Sequence, residues 1–126
     1  MKRNQSERAP LFITDAIICA RQIVKGSLAQ ILAGTYQVPS IEEMISVLEN
    51  GFRHSFDEFM TRRRIIRSHL NWNEGQVEAE LEIQKRRFEN ELRVNLNVAA
   101  ISTIQEVENL ITSLNSAIKK WKIENL

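Results

Sequence analysis

Glycine and proline are scarce in this chain of 126 residues. Gly26, Gly34, Gly51, Gly75, Pro10 and Pro39 are the six present, where average usage would supply about 15. None lies after Gly75, so the last 51 residues contain no strong helix breaker. A β-sandwich needs turn signals at short intervals, and a Rossmann-type fold needs a glycine-rich first turn. The shortage argues against both. The single cysteine, Cys19, rules out a disulfide framework within the chain. It sits in the apolar run Ala16-Ile17-Ile18-Cys19-Ala20 and reads as an inert core residue. Long apolar runs are missing too. The basic start Met1-Lys2-Arg3 is followed by an apolar stretch from Leu11, but Asp15 interrupts it and Arg21 and Lys25 end it. That is neither a signal peptide nor the ~20 apolar residues of a membrane span. The expectation is a cytoplasmic protein with no membrane partner. Nor is there an excess of charge: 17 basic and 16 acidic residues leave a net +1. Proteins that coat nucleic acid are usually strongly basic, although a local basic patch is compatible with this balance.

What remains reads as all-α. Hydrophobic residues make up 43% and charged residues 26% of the chain, enough for a solvated domain with a core. The expected architecture is an antiparallel bundle of three to four long helices with a coiled-coil-like C-terminal helix. Residues 1–9 are polar and aperiodic and read as a flexible arm, with 10–126 as one helical domain. A first helix is expected from about Thr14 to Ala33, capped by Thr14 or Asp15 and ended by Gly34. Between Leu11 and Ala33, 15 of 23 residues are apolar, which suits the centre of a bundle. Ser40 and Glu43 form a capping box for a second helix. Its stripe Ile41, Ile45, Leu48, Phe52, Phe56, Phe59, Arg63, Ile66, Leu70 keeps helical spacing across Gly51. A helix-interior glycine costs only about 1 kcal/mol relative to alanine, so one long helix is expected there. Asn71 to Gly75 reads as a tight turn, with Asn73 capping the next helix.

The tail carries an apolar chain: Val77, Leu81, Lys85, Phe88, Leu92, Leu96, Ala100, Ile104, Val107, Ile111, Leu114, Ile118, Trp121. It makes 12 steps over 44 residues, 3.67 per step, with Lys85 its one polar member. That period fits an almost straight helix, and from Ile104 onward the steps become heptad-like. Thr103 and Glu106 form a further capping box, and Asn95 and Asn97 before it are weak helix formers. One unbroken helix of this length would span about 75 Å, far beyond a compact globule with a radius of gyration near ~14 Å. A turn near Ser102 is therefore expected, giving four elements that could pair as an up-down bundle. The alternative is a straight helix that needs a second chain to cover its stripe.

Arg62-Arg63-Arg64-Ile65-Ile66-Arg67 is the strongest charge feature. Such a stripe can grip phosphates. Lys85, Arg86 and Arg87 would join it if the helices form a hairpin about residues 71–75. The bland alternative is a solvated face paired with the nearby glutamates, and the aromatics that stack bases are not interleaved with these residues. Glu82 to Arg86 and Glu89 to Arg93 are favourably spaced pairs along one helix. The spacing from Arg62, Arg63 or Arg64 to His69 resembles the Arg/His motif of HEPN-type helical ribonucleases. That resemblance implies that the histidine and an arginine act on an RNA phosphodiester. The polar residue that usually follows the arginine in that family is absent here. His54, Asp57 and Glu58 share a helix face but offer too few ligands for a metal, so no metal and no cofactor is expected. A helix-turn-helix over Ser27–Gly51 would give its second helix Glu42, Glu43 and Glu49 and no basic residue, which is wrong for phosphate. Walker A, dinucleotide, nucleophile-elbow and zincin motifs are absent, and no catalytic residues are assigned. The expected function is a non-enzymatic interaction and assembly module. It would act as a homodimer through Ile104, Val107, Ile111, Leu114, Ile118 and Trp121, and bind an unidentified protein partner. Nucleic-acid association through the basic stripe is the second reading, and the HEPN-like ribonuclease the third.

Overall fold

The computed structural model describes residues 9–125. Its four helices are, in order, α1 (Phe12–Gly26), α2 (Leu28–Ala33), α3 (Ile41–His69) and α4 (Glu74–Glu124). No strand occurs among the described residues, so the fold is all-α. The arm expected at 1–9 lies outside the described residues except for Ala9.

Local chemistry accounts for most helix ends. The Ser40 side chain accepts from the Glu43 N–H at 3.2 Å, and the Ser40 hydroxyl meets the Glu43 carboxylate at 3.2 Å. Asn73 makes the complete reciprocal box with Gln76, accepting its N–H at 2.8 Å while Gln76 accepts the Asn73 N–H at 3.1 Å. Asn71 takes φ +63°, the left-handed conformation that asparagine tolerates, and this lets the chain reverse between α3 and α4. Gly34 does the same at φ +74° after α2, and Thr35 N–H reaches back to the Gln30 carbonyl at 3.0 Å. At the start of α1 the Asp15 carboxylate accepts the Leu11 N–H at 3.0 Å.

Two sequence expectations about element boundaries are corrected. The first helix is not continuous from Thr14 to Ala33. It begins at Phe12 and breaks at Gly26-Ser27, where Ser27 leaves helical geometry (ψ +12°) and α2 restarts at Leu28. More consequentially, α4 does not turn near Ser102. It is one helix of 51 residues, about 76 Å long at 1.5 Å per residue. The Thr103 hydroxyl does not cap a helix start. It donates to the Ala99 carbonyl one turn back, at 2.9 Å, and lies 3.3 Å from the Ala16 carbonyl of α1. Thr103, Ala99 and Ala100 are fully buried. Their small side chains allow α1 to approach α4 closely, and that contact carries the helix through its weak region. Across Gly51, by contrast, α3 is unbroken as expected.

α4 is the shaft on which the rest is mounted. α3 runs antiparallel to its first half, as the pairs Arg53–Glu89 and Arg67–Glu80 show. α1 runs parallel to α4: Phe12 stacks near Phe88, and Ala16 lies against Thr103 further along. Where the three helices meet, Phe56 and Phe88 stack with ring centroids 4.1 Å apart, and Phe12 meets Phe52 edge-on at 5.0 Å. Met44, Leu48, Leu92, Ala99 and Ala100 complete this cluster. A second, smaller cluster joins Ala20, Val24, Ile31 and Val107, with Leu110, Ile111 and Leu114 packed against it. Beyond Leu114, α4 continues for ten residues to Glu124. No described helix is long and apolar enough to cross a membrane.

Candidate functional site

The Arg62–Arg67 segment occupies the last turns of α3, opposite the first turns of α4. Arg63 and Arg67, one turn apart, both reach Glu80 across the hairpin, at 2.6 and 2.8 Å. Arg64 pairs with Glu78. The Arg67 guanidinium lies 4.6 Å from the centre of the Trp72 ring, and that of Arg63 lies 5.5 Å from the Phe59 ring. Aromatic faces attract cations, so each of these two arginines is held by a ring and a carboxylate together. The two guanidinium groups, by hydrogen bonding led by Arg67, hold the Glu80 carboxyl down at about 2, well below its ordinary value. Sequence spacing alone leaves Glu78, Glu80 and Glu82 as a solvated surface. Glu80 instead sits half-buried at the centre of a clasp that closes the hairpin.

The clasp answers most of the basic stripe with acid. Arg53, three turns up α3, adds a bidentate pair with Glu89, with the shorter contact at 2.6 Å. The spacing that pairs Glu89 with Arg93 on its own helix is not the pairing observed. Arg93 instead donates to Asn90 at 2.7 Å, because Arg53 has taken the carboxylate. Lys85 lines the same open groove between α3 and α4 as Arg64, along with Asp57, Thr61, Glu78 and Glu82. Arg86 turns outward to Glu82 at 3.3 Å, and Arg87 is exposed. The seven basic residues therefore do not form one bare cationic face. Arg62 and His69 are exposed on α3, and His69 is its last helical residue. His54 lies 3.0 Å from Glu58. Among the described residues, no three His, Cys, Asp or Glu side chains are grouped to hold a metal. Cys19 is half-buried at the edge of the core, and burial raises its thiol pKa.

The proposed interface residues fare differently from one another. Val107 is 0% exposed, sealed within the cluster that contains Ala20 and Val24, and so belongs to the intrachain core. Ile104, Ile111 and Leu114 are half-buried against the two core clusters. Ile118 is half-buried near the end of the stripe, and Trp121 is 63% exposed. Burial thus falls along one stripe as α4 leaves the cover of α1 and α2. Two chain segments here carry no charge at all, residues 27–41 and 109–118. The first contributes the exposed side chains Leu28, Leu32, Val38 and Ile41. The core of a protein–protein interface is depleted of charge in the same way. The uncharged stretches are visible in the sequence, but only the fold shows that α2 and the α4 segment lie together.

Compared with known proteins, the chain matches no family model. No curated protein and no solved structure matches it either.

Proposed function

We propose that this chain is a non-enzymatic helical assembly module that works as a homodimer in the cytoplasm, using the C-terminal part of α4 as its contact. The observation that carries this reading is the run-on of α4. Its core-facing stripe continues past the end of α1–α2 into Ile118 and Trp121, and the described residues leave Trp121 largely uncovered. A helix of this length on a small body is the case in which a second chain is needed. Coiled-coil-like packing of the terminal heptads is the contact this proposal implies.

Light scattering at micromolar concentration tests it. The parent chain is expected to have the mass of a dimer. The variant Ile118→Lys/Trp121→Lys is expected to have the mass of a monomer with unchanged helical circular dichroism, since neither side chain is in the buried core. A parent chain of monomeric mass overturns the reading.

A further inference from the structure

Resting on the homodimer reading, we propose that two copies pair through α4 in antiparallel orientation, about a two-fold axis at Asn115. One side of α4 is already taken. α1 and α2 occupy the side that carries Val107, so a second helix cannot lie there. The adjoining side carries Ile104, Glu108, Ile111, Asn115, Ile118 and Lys122, in alternating steps of four and three. Such spacing makes one continuous seam along a helix. Its three isoleucines are half-buried and its three polar residues are exposed.

The polar members set the orientation. Glu108, Asn115 and Lys122 stand seven residues apart, in the order acid, amide, base. Closed homodimers use the same patch twice, so the patch must complement itself. Turned end for end about Asn115, Glu108 of one copy meets Lys122 of the second, and the symmetry repeats the pair. Asn115 meets its own counterpart. An amide carries both donor and acceptor, so two of them can satisfy each other. Ile111 falls beside Ile118 of the second copy. A parallel arrangement does the opposite. It sets Glu108 on Glu108 and Lys122 on Lys122, and crowds Lys119, Lys120 and Lys122 of both copies against only Glu124. Charges beside a helical seam choose orientation in this way, and a polar seam residue fixes register.

Charge reversal read by dilution light scattering tests the proposal. Glu108→Lys alone, or Lys122→Glu alone, turns two attractive pairs into two repulsive ones. Each is expected to raise the dimer dissociation constant about tenfold. The double reversal is expected to restore the parent value. If each single reversal leaves the constant unchanged in a chain that still dimerises, the antiparallel pairing is overturned while the homodimer reading stands. A monomeric parent chain overturns both. Oxidative cross-linking in a Cys19→Ser background gives a second readout. Asn115→Cys is expected to cross-link. Glu124→Cys is not, because antiparallel pairing separates the two copies of that position by about 27 Å along the axis. Cross-linking at 124 as fast as at 115 overturns the proposal. Glu108, Asn115, Lys122 and Glu124 are exposed on α4, Cys19 is half-buried on α1, and unchanged helical circular dichroism shows that each variant folds.

Discussion

Glu80 ties α4 to α3 by accepting from both Arg63 and Arg67, and its acidity makes that measurable. Its folded-state pKa of about 2 lies below the ordinary 4.5. A carboxylate depressed in this way stabilises the fold fully above about pH 4.5, and the contribution is lost as pH falls towards 2. Glu80→Gln is expected to cost about 1–2 kcal/mol at neutral pH, after discount for partial exposure. In urea unfolding across pH, the difference between parent and variant should shrink on acidification below 4.5. A difference that stays constant from neutral pH to pH 3 would show that Glu80 acts through packing rather than charge. This clasp was not legible in the sequence. Glu78, Glu80 and Glu82 alternate around a helix, and nothing in their spacing says which one faces α3. That depends on the α3–α4 register, which is set by the turn at Asn71 and by Phe56 stacking on Phe88. Asn73 and Ser40 could be read correctly because capping is a contact between residues three apart.

Gly51 and Ser102 show at the level of helices what short-range reasoning can and cannot decide. Both lie where a helix could stop. Across Gly51 the flanking stripe keeps its spacing, and buried Leu48 and Phe52 bracket the glycine on one packed face. The continuous α3 was therefore visible in the pattern. A Cβ at Gly51 would meet nothing within 4 Å, and the backbone there is helical. Gly51→Ala is accordingly expected to stabilise the protein by about 0.5–1 kcal/mol, seen as a higher Tm. A loss of stability would mean that α3 needs the freedom of glycine at that point. Near Ser102 the local signals pointed to a turn, because Thr103 with Glu106 can cap a helix start. The hydroxyl that would have capped is spent on Ala99 and held against Ala16 of α1. That partner lies 87 residues away in sequence, beyond the reach of any local pattern. The break at Gly26-Ser27 escaped for the converse reason. Apolar residues continue across it, and only the backbone departs from the helix.

For the whole molecule, the consequence is elongation. The accessible surface is 8931 Å², against about 6,900 Å² for a compact monomer of this mass. The shaft alone, about 76 Å long, implies a radius of gyration near 20 Å even without a second chain, compared with ~14 Å for a globule. Small-angle X-ray scattering should give an extended distance distribution. A value near the globular one would mean that α4 folds back in solution. The sequence pattern posed the choice between a closed bundle and a straight helix without deciding it, because its 3.67-residue period is compatible with both. Of the residues expected to make a contact, Trp121 is largely uncovered, whereas Val107 is buried within the chain beneath α1 and α2, a cover that no local pattern could reveal.

An uninterrupted α4 also keeps time along its length. Each residue turns the backbone by about 100° and advances it about 1.5 Å, so the two ends are in a fixed angular phase. The clasp at Glu80 and the proposed seam at Asn115 are 35 residues apart, about 9.7 turns, which sets the two directions about 100° apart around the shaft. An insertion of one or two residues between them would swing the distal seam around the shaft and aim it at solvent. An insertion of seven would return it to nearly the same bearing, one layer further out. The chain can thus vary in length only in certain steps if both ends are to keep the directions in which they now point.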